Sequence, residues 1–168
     1  MLTVKFDLPL FASGDAATIA REVYGLLATA SPLPGEKDRN FLLESAAGER
    51  FVLKIANAGE QREILELQNA ALDHLAASGV RGVQRALPTR GGESIATIEG
   101  SGGTAHFVRL LTYLPGKIFA AANPHTPQML TSLGRLLGSV DRALSTFEHL
   151  AAHRALKWDL AQAAWIRE

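Results

Sequence analysis

The sequence has no cysteine among its 168 residues, which excludes disulfide bonds and thiolate metal sites. It also has no net charge, because 17 basic and 17 acidic residues cancel. This balance removes the electrostatic reason to expect a nucleic acid or an anionic membrane as a partner. There is no apolar run of about 18 residues, and the first residues lack the basic flank and apolar stretch of a secretory leader. We therefore expect a cytoplasmic protein that holds any anionic ligand locally.

What is present is the composition of an ordinary globular protein. Hydrophobic residues make up 47% of the sequence and charged residues 20%, both near the average for folded proteins. A chain of this length can bury a real core and corresponds to one domain or slightly more. Neither an internal repeat nor a low-complexity segment is visible.

The first part of the chain predicts an α+β domain. Residues 15–27 have helical periodicity behind Asp15, a good N-cap, and the Pro- and Gly-containing residues 31–35 break that helix. A second helix is expected over residues 60–78, ended by Gly79. Around this helix, periodicity and turn residues predict about five strands: a hairpin of 40–44 with 50–55, a second hairpin of 83–87 with 94–98, and a run at 106–111.

Beyond residue 112 the pattern becomes helical. Thr126 as N-cap and Pro127 as first helical residue begin a helix with an apolar stripe, and residues 158–168 have a further helical pattern. We therefore divide the chain into a lobe at 1–112, a linker at 113–117 and the beginning of a helical lobe at 118–168. The stripe of the long helix needs a partner, so its exposure predicts self-association. It consists of Leu130, Leu133, Leu137, Val140, Leu144 and Phe147.

The order of these elements, together with three sequence segments, resembles the aminoglycoside phosphotransferase and choline kinase superfamily. The segments are LPGEKDRNFLL at 33–43, RFVLKI at 50–55 and ELQ at 66–68. Within the superfamily the sequence is most similar to hydroxylysine-kinase-like domains, including those fused ahead of a class III aminotransferase. The resemblance implies a protein-kinase-like amino-terminal lobe that binds ATP, followed by the first helices of the second lobe.

Lys54 is the first candidate site residue. It lies in an apolar strand and alternates onto the face opposite Phe51, Leu53 and Ile55. Taken alone it would be a lysine on a solvated strand face. In kinases, however, the lysine of this strand holds nucleotide phosphates by charge, and the resemblance gives Lys54 that role.

The partner of Lys54 is expected on the helix that follows. Helical geometry puts Gln68 on the apolar face and Glu66 on the wet side with Asn69. The resemblance gives the same register, with Gln68 where the usual glutamate stands. A glutamine accepts a hydrogen bond but does not neutralise a lysine, so Lys54 would keep more of its charge for phosphate. Glu63 or Glu66 swinging inward stays an alternative, as does a simple buried amide.

Two further segments are candidates by resemblance. The loop at residues 34–40 occupies the place of the phosphate-covering loop, but it has only one glycine. If it covers ATP, it does so through Lys37, Arg39 or Asn40, and a plain charged turn is an equally good interpretation. The connector at 111–116 matches the family's hinge, in which the backbone of Thr112 and Leu114 would bind adenine.

The residues that perform phosphoryl transfer in this family are missing. The resemblance calls for an aspartate in a His-Gly-Asp loop, an asparagine five residues later and a second aspartate for Mg²⁺. The nearest match, at Asp159, has Lys157 and Ala164 in place of the histidine and asparagine. We therefore expect the ATP-binding part of a kinase for a small hydroxyl-bearing substrate, inactive alone, with no metal ligand or catalytic residue of its own. The alternative is a non-enzymatic, degenerate module that regulates a fused or partner enzyme.

Overall fold

The structure is a computed structural model that describes residues 8–154 of the chain. It has the α+β architecture that the sequence predicts, with one antiparallel sheet and a small number of helices. The helical pattern at 158–168 and the rejected candidate Asp159 lie outside the described residues.

The first helix, α1, spans Ser13–Tyr24 and begins two residues earlier than predicted. Its N-cap is Ala12, so the prediction that Asp15 is the N-cap is wrong. Asp15 lies in the first turn, where its carboxylate accepts a hydrogen bond from the Ala12 amide at 2.8 Å. The carboxylate also lies at the positive end of the helix dipole. Gly25 ends the helix in the left-handed conformation, with φ of 69°, that glycine adopts without strain.

The sheet has six strands, and all neighbouring strands are antiparallel. The order across the sheet is β1-β2-β3-β6-β4, and β5 pairs with another part of β6. The strands are β1 (Ala28–Leu33), β2 (Arg39–Ser45), β3 (Arg50–Ile55), β4 (Ala86–Leu87), β5 (Ala96–Glu99) and β6 (Ala105–Thr112). The predicted hairpin of β2 with β3 and the predicted strand at 106–111 are confirmed.

Two predictions about the strands are wrong. The predicted helix break at residues 31–35 overlaps the second half of β1, a strand that was not predicted and that pairs along its whole length with β2. Its Pro32 is tolerated because β1 lies at the sheet edge, where a missing N–H leaves no inner strand unpaired. The second predicted hairpin also does not form, because β4 and β5 each pair with β6 rather than with each other.

The core lies between the sheet and α1. Alternate residues of β2, β3 and β6 point to this face and are fully shielded, and α1 packs Ala16, Ile19 and Ala20 against them. Because strand side chains alternate, the intervening residues point to the opposite face, toward α2. The buried side chains of the α1 face include Phe41, Leu43, Leu53, Ile55, Val108 and Leu110.

The other two long helices are α2 (Arg62–Ala77) and α3 (Pro127–Leu144). α3 begins as predicted, with Thr126 accepting a hydrogen bond from the Met129 amide at 3.2 Å. His74 of α2 lies 2.8 Å through Nε2 from the carbonyl oxygen of Ala143 and so joins the two helices. Short 3-10 turns occupy Ser101–Gly103, Phe119–Ala121 and Leu150–Ala152. Over residues 8–154, no helix combines the length and apolar character needed to cross a bilayer.

Candidate functional site

A row of three polar residues crosses the face of the sheet opposite α1. Strand register places Asn40 of β2 opposite Lys54 of β3, and Lys54 opposite Arg109 of β6. Each of the three alternates with core residues on the other face, as was predicted for Lys54. The sheet therefore brings two cations and an amide together from segments that are far apart in the sequence.

Lys54 lines a cavity of about 220 Å³ together with Glu36, Lys37, Asp38, Asn40 and Glu60. Its Nζ donates to Asn40 Oδ1 at 3.1 Å, and Asp38 Oδ2 is 4.0 Å away. The Lys54 side chain is 28% exposed, so it is not sealed from solvent. Burial lowers the pKa of Lys54 below its usual 10.5; the charge of Arg109 acts in the same direction and that of Asp38 opposes it.

Arg109 is 3% exposed and is held by α2. Its Nη2 donates to Gln68 Oε1 at 2.6 Å, and its Nη1 donates to Asn69 Oδ1 at 2.8 Å. Burial lowers the pKa of Arg109, while the charges of Asp38, Glu60 and Tyr24 oppose that shift. Since an arginine stays protonated in proteins, a buried positive charge lies directly beside Lys54.

The predicted contact between Gln68 and Lys54 does not form in the structure. Gln68 bonds to Arg109, and Asn69, which we placed on the wet side, is 4% exposed. Asn69 is accommodated because Arg109 donates to its oxygen and its Nδ2 donates to the Ser94 carbonyl at 3.4 Å. Glu66 bonds to Arg62 on the surface at 2.9 Å, so it is not turned toward Lys54.

The loop between β1 and β2 brings two of the three candidate residues, Lys37 and Asn40, to the cavity. Asn40 reaches back to donate to the Pro34 carbonyl at 3.0 Å, and the exposed Lys37 lines the cavity. Arg39 is not brought to the row, because it alternates to the α1 side and donates to the Phe11 carbonyl at 3.3 Å. Asp38 is the carboxylate nearest Lys54, and sequence analysis passed over it.

An apolar row lies beside the polar one, two residues away on each strand. Leu42 pairs with Val52, and Val52 pairs with Leu111, so the three side chains form a flat patch on the same face. Leu111 is buried, and the other two are half-buried. Sequence analysis missed this patch, because it depends on which strands are neighbours.

The predicted hinge follows β6. Thr112 donates through its amide to the Arg85 carbonyl at 2.9 Å and accepts from Gln84 Nε2 at 3.0 Å through its own carbonyl oxygen. That oxygen retains a second lone pair. Leu114 is exposed. Gln84, which fixes the hinge carbonyl, carried no signal in the sequence because its partner is 28 residues away.

A larger cavity, of about 520 Å³, lies between the end of α2 and α3. Its lining includes Arg81, Arg135 and Arg142, all exposed, and none of the polar-row residues. Size does not make it the better candidate, because the perturbed and hydrogen-bonded groups lie in the polar row.

Comparison with known proteins agrees with this architecture. Residues 29–167 match the model of the phosphotransferase enzyme family. The chain is 32% identical over 154 residues to a hydroxylysine kinase of Danio rerio, covering 88% of this chain and 43% of that protein. It is 34% identical over 155 residues to a hydroxylysine kinase of Mus musculus, covering 84% and 40%. The chain thus spans about two fifths of the length of these relatives.

Solved structures share the fold. An amicoumacin kinase in complex with AMP-PNP, Ca²⁺ and Ami superposes with a TM-score of 0.74 at 14% identity, over 90% of this chain and 46% of that one. A microcompartment-associated aminopropanol kinase superposes with a TM-score of 0.59 at 20% identity, over 86% and 44%. At such identities the likeness establishes the fold alone.

Proposed function

The chain belongs to the phosphotransferase enzyme family, and from that premise we propose that it is the ATP-binding part of a small-molecule kinase. The kinase would transfer the γ-phosphate of ATP to a hydroxyl group of a small substrate. The observation that carries the proposal is Lys54, a partly exposed lysine side chain that lines a cavity beside the buried Arg109. Two adjacent cations on a sheet face attract a polyphosphate.

The residues present fit the phosphates of a nucleotide. Lys54 would hold them by charge, Asn40 would orient the Lys54 ammonium group through its side-chain oxygen, and Lys37 would approach from the loop. Arg39 has no part in this proposal, because its guanidinium lies on the α1 side. ATP supplies the phosphoryl group, and the role of these side chains is to position and stabilise its charge.

The apolar row gives the base a place to lie. Leu42, Val52 and Leu111 form a patch of the kind that packs against a flat aromatic ring. The hinge runs on from Leu111, so the backbone of Thr112 and Leu114 would supply polar contacts at the edge of the base. The support for this assignment is the position of the hinge at the end of β6.

Phosphoryl transfer requires more than this chain contains. A divalent metal accompanies ATP in kinases, and we propose Mg²⁺, held by residues other than those of this chain. Within residues 8–154, no three His, Asp or Glu side chains cluster as metal ligands would. The sequence also has no His-Gly-Asp segment. We therefore propose that these 168 residues bind nucleotide and do not turn over substrate.

For the substrate we propose a small amino alcohol in the cytoplasm. The support is the sequence similarity to two hydroxylysine kinases, whose substrate carries both a hydroxyl and amino groups.

The test is isothermal titration calorimetry of the chain with ATP, with and without Mg²⁺. Lys54→Ala should weaken binding at least about ten-fold, since a charge-assisted contact to phosphate contributes about 1.5–3 kcal/mol. Arg21→Ala is the matched control, because it removes an exposed cation on α1, away from the polar row. Equal loss in both variants would contradict a phosphate site at Lys54.

One observation favours a second candidate, the degenerate regulatory module. Three carboxylates, of Glu36, Asp38 and Glu60, line the cavity with only two lysines. Acidic groups there repel phosphate. This candidate predicts that the folded wild-type chain binds no ATP at millimolar concentration, which the same titration measures.

A further inference from the structure

The link between sheet and helix in this protein does not use Lys54. In kinases the lysine of this strand is usually fixed by a glutamate of the following helix. Here the helix α2 is held one strand further across the sheet, by Arg109 of β6. Lys54 turns the other way, to Asn40 and Asp38 on the loop side.

The partners of Arg109 are chemically unusual for a buried cation. Its acceptors on α2 are the side-chain amides of Gln68 and Asn69 and, at 3.4 Å, the Leu65 carbonyl, all neutral groups that accept a hydrogen bond without cancelling charge. The nearby carboxylates lie on the loop side: Asp38 is 4.0 Å from Lys54, and Glu60 shares the cavity that Lys54 lines. Arg109 can therefore hold α2 while its charge continues to act on its neighbour in the row.

The division of labour follows from donor geometry. A guanidinium presents several N–H donors in a rigid fork, so Arg109 reaches two consecutive helix residues at once. A lysine presents its donors from a single nitrogen, and the nitrogen of Lys54 lies at Asn40, on the loop side. Arg109, with its longer and forked side chain, therefore holds α2, and the charge of Lys54 stays available to a ligand.

We propose that Arg109 is a positioning residue of the nucleotide site: it anchors α2 to the sheet through Gln68 and Asn69 and so keeps Lys54 turned toward the phosphate-binding loop. This inference rests on the proposed function and deepens it. It assigns the fixing role of the usual glutamate to a residue on a different strand.

The test uses the nucleotide-free chain and two readouts. The first is hydrogen exchange of the α2 amides compared with those of β2 and β3. The second is the NMR signal of the Lys54 side-chain nitrogen, assigned with Lys54→Arg. Gln68 is exposed, so Gln68→Met should fold while losing the acceptor, whereas Gln68→Glu keeps an acceptor oxygen. Arg62→Met, which breaks a surface pair on the same helix, is the control.

We expect Gln68→Met to lower the protection of α2 about ten-fold relative to β2 and β3, since it removes a charge-assisted hydrogen bond. The Lys54 signal should shift as well. Gln68→Glu should retain the protection, and Arg62→Met should change neither readout. Arg109→Lys, which keeps the charge and loses the fork, should behave like Gln68→Met.

Unchanged α2 protection and an unchanged Lys54 signal in both Gln68→Met and Arg109→Lys would overturn the proposal. A uniform loss across helix and sheet would also overturn it, because that describes general stability and not positioning. ATP binding is measured separately. If the wild-type chain binds no ATP while both readouts respond as expected, the proposed function fails and the anchoring role of Arg109 stands.

Discussion

Lys54 and Arg109 are adjacent cations with different surroundings, and the difference decides their roles. Arg109 is enclosed by α2 and satisfied by two amides, whereas Lys54 keeps part of its surface in solvent. A charge that stays accessible is available to a ligand, and a charge that is enclosed becomes part of the scaffold. The alternation of β3 predicted where Lys54 points, but its partners, Asn40 and Asp38, come from the loop and not from the helix.

The depressed pKa of Lys54 predicts a pH dependence of ATP binding. Above its pKa, which lies below 10.5, Lys54 loses the proton that attracts phosphate. Affinity should therefore begin to fall at a pH below 10.5, earlier than for an ordinary lysine, and by at most about ten-fold per pH unit. Calorimetry at several pH values measures this, and Lys54→Arg should give a flat profile because arginine keeps its proton. A parallel decline in both proteins would show that Lys54 is not the titrating group.

The same shift has a consequence of opposite sign for stability. The folded state holds the Lys54 proton less tightly than the unfolded chain, so the unfolded chain binds more protons in the window just below pH 10.5. The contribution of Lys54 to stability should therefore rise with pH through that window. In urea unfolding, the free energy of unfolding of the wild type relative to that of Lys54→Met should rise with pH through this window.

The loop between β1 and β2 depends on its one glycine. A side chain at Gly35 would collide with the backbone oxygen of Asp38 and would lie 2.7 Å from Asn40 Nδ2. Gly35→Ala should displace the loop and weaken ATP binding about three- to ten-fold, equivalent to the loss of roughly one hydrogen bond. Gly14→Ala is the matched control, because a Cβ at Gly14 meets nothing within 4 Å. Unaltered affinity in Gly35→Ala would separate the loop from the nucleotide.

The start of α3 is set by a local hydrogen bond. Thr126 accepts from the Met129 amide, and Pro127 follows with a fixed φ suited to the first turn. Thr126→Ala should lower the free energy of unfolding by about 1 kcal/mol. Thr126→Ser keeps the acceptor and should lose much less, as measured by urea unfolding. The sequence predicted this helix start correctly because all the residues involved are within four positions.

Strand partners were predicted less well than strand positions. The run at 106–111 is confirmed as β6, but the expected hairpin of 83–87 with 94–98 does not form. The two segments are separated by turn residues that are compatible with a hairpin. The Thr89 amide donates to the Glu93 carbonyl at 2.8 Å, and the Glu93 amide donates to Thr89 Oγ1 at 3.1 Å. Both segments pair with β6 instead of with each other, and the periodicity of the sequence does not show which strand a segment pairs with.

At the scale of the whole molecule, α3 has an apolar stripe that is partly uncovered over the described residues. Leu130 is 50% exposed and Leu137 is 54% exposed. Exposed apolar patches of this kind drive association. We expect concentration-dependent self-association in sedimentation velocity, reduced by Leu130→Gln with Leu137→Gln. Leu27→Gln, at a still more exposed position after α1, should leave it unchanged. Monomeric wild type at high concentration would contradict the prediction.

The division of the chain into two lobes at 113–117 stays a prediction, and the structure shows which elements lie on either side of it. β6 ends at Thr112, and α3 contacts α2 through His74. A lobe boundary there would make His74 a contact between lobes.

The family membership and the kinase-like fold that the sequence motifs suggested are confirmed.

Local patterns in the sequence were enough to predict the class of fold, the positions of most helices and strands, and the face of β3 on which Lys54 lies. These features depend on residues a few positions apart, whose periodicity and capping are written in the chain. The identity of the helix anchor was different. In the predicted arrangement Gln68 faces Lys54, whereas in the structure Gln68 and Asn69 share Arg109. The two arrangements differ by a rotation of α2 by about one residue, or about 100°. The apolar stripe in the sequence does not resolve a rotation of that size. The tertiary structure decides this rotation. Strand pairing places Arg109 beside α2, some 40 positions away in the sequence, and the observed rotation of α2 gives the donors of the buried guanidinium their acceptors.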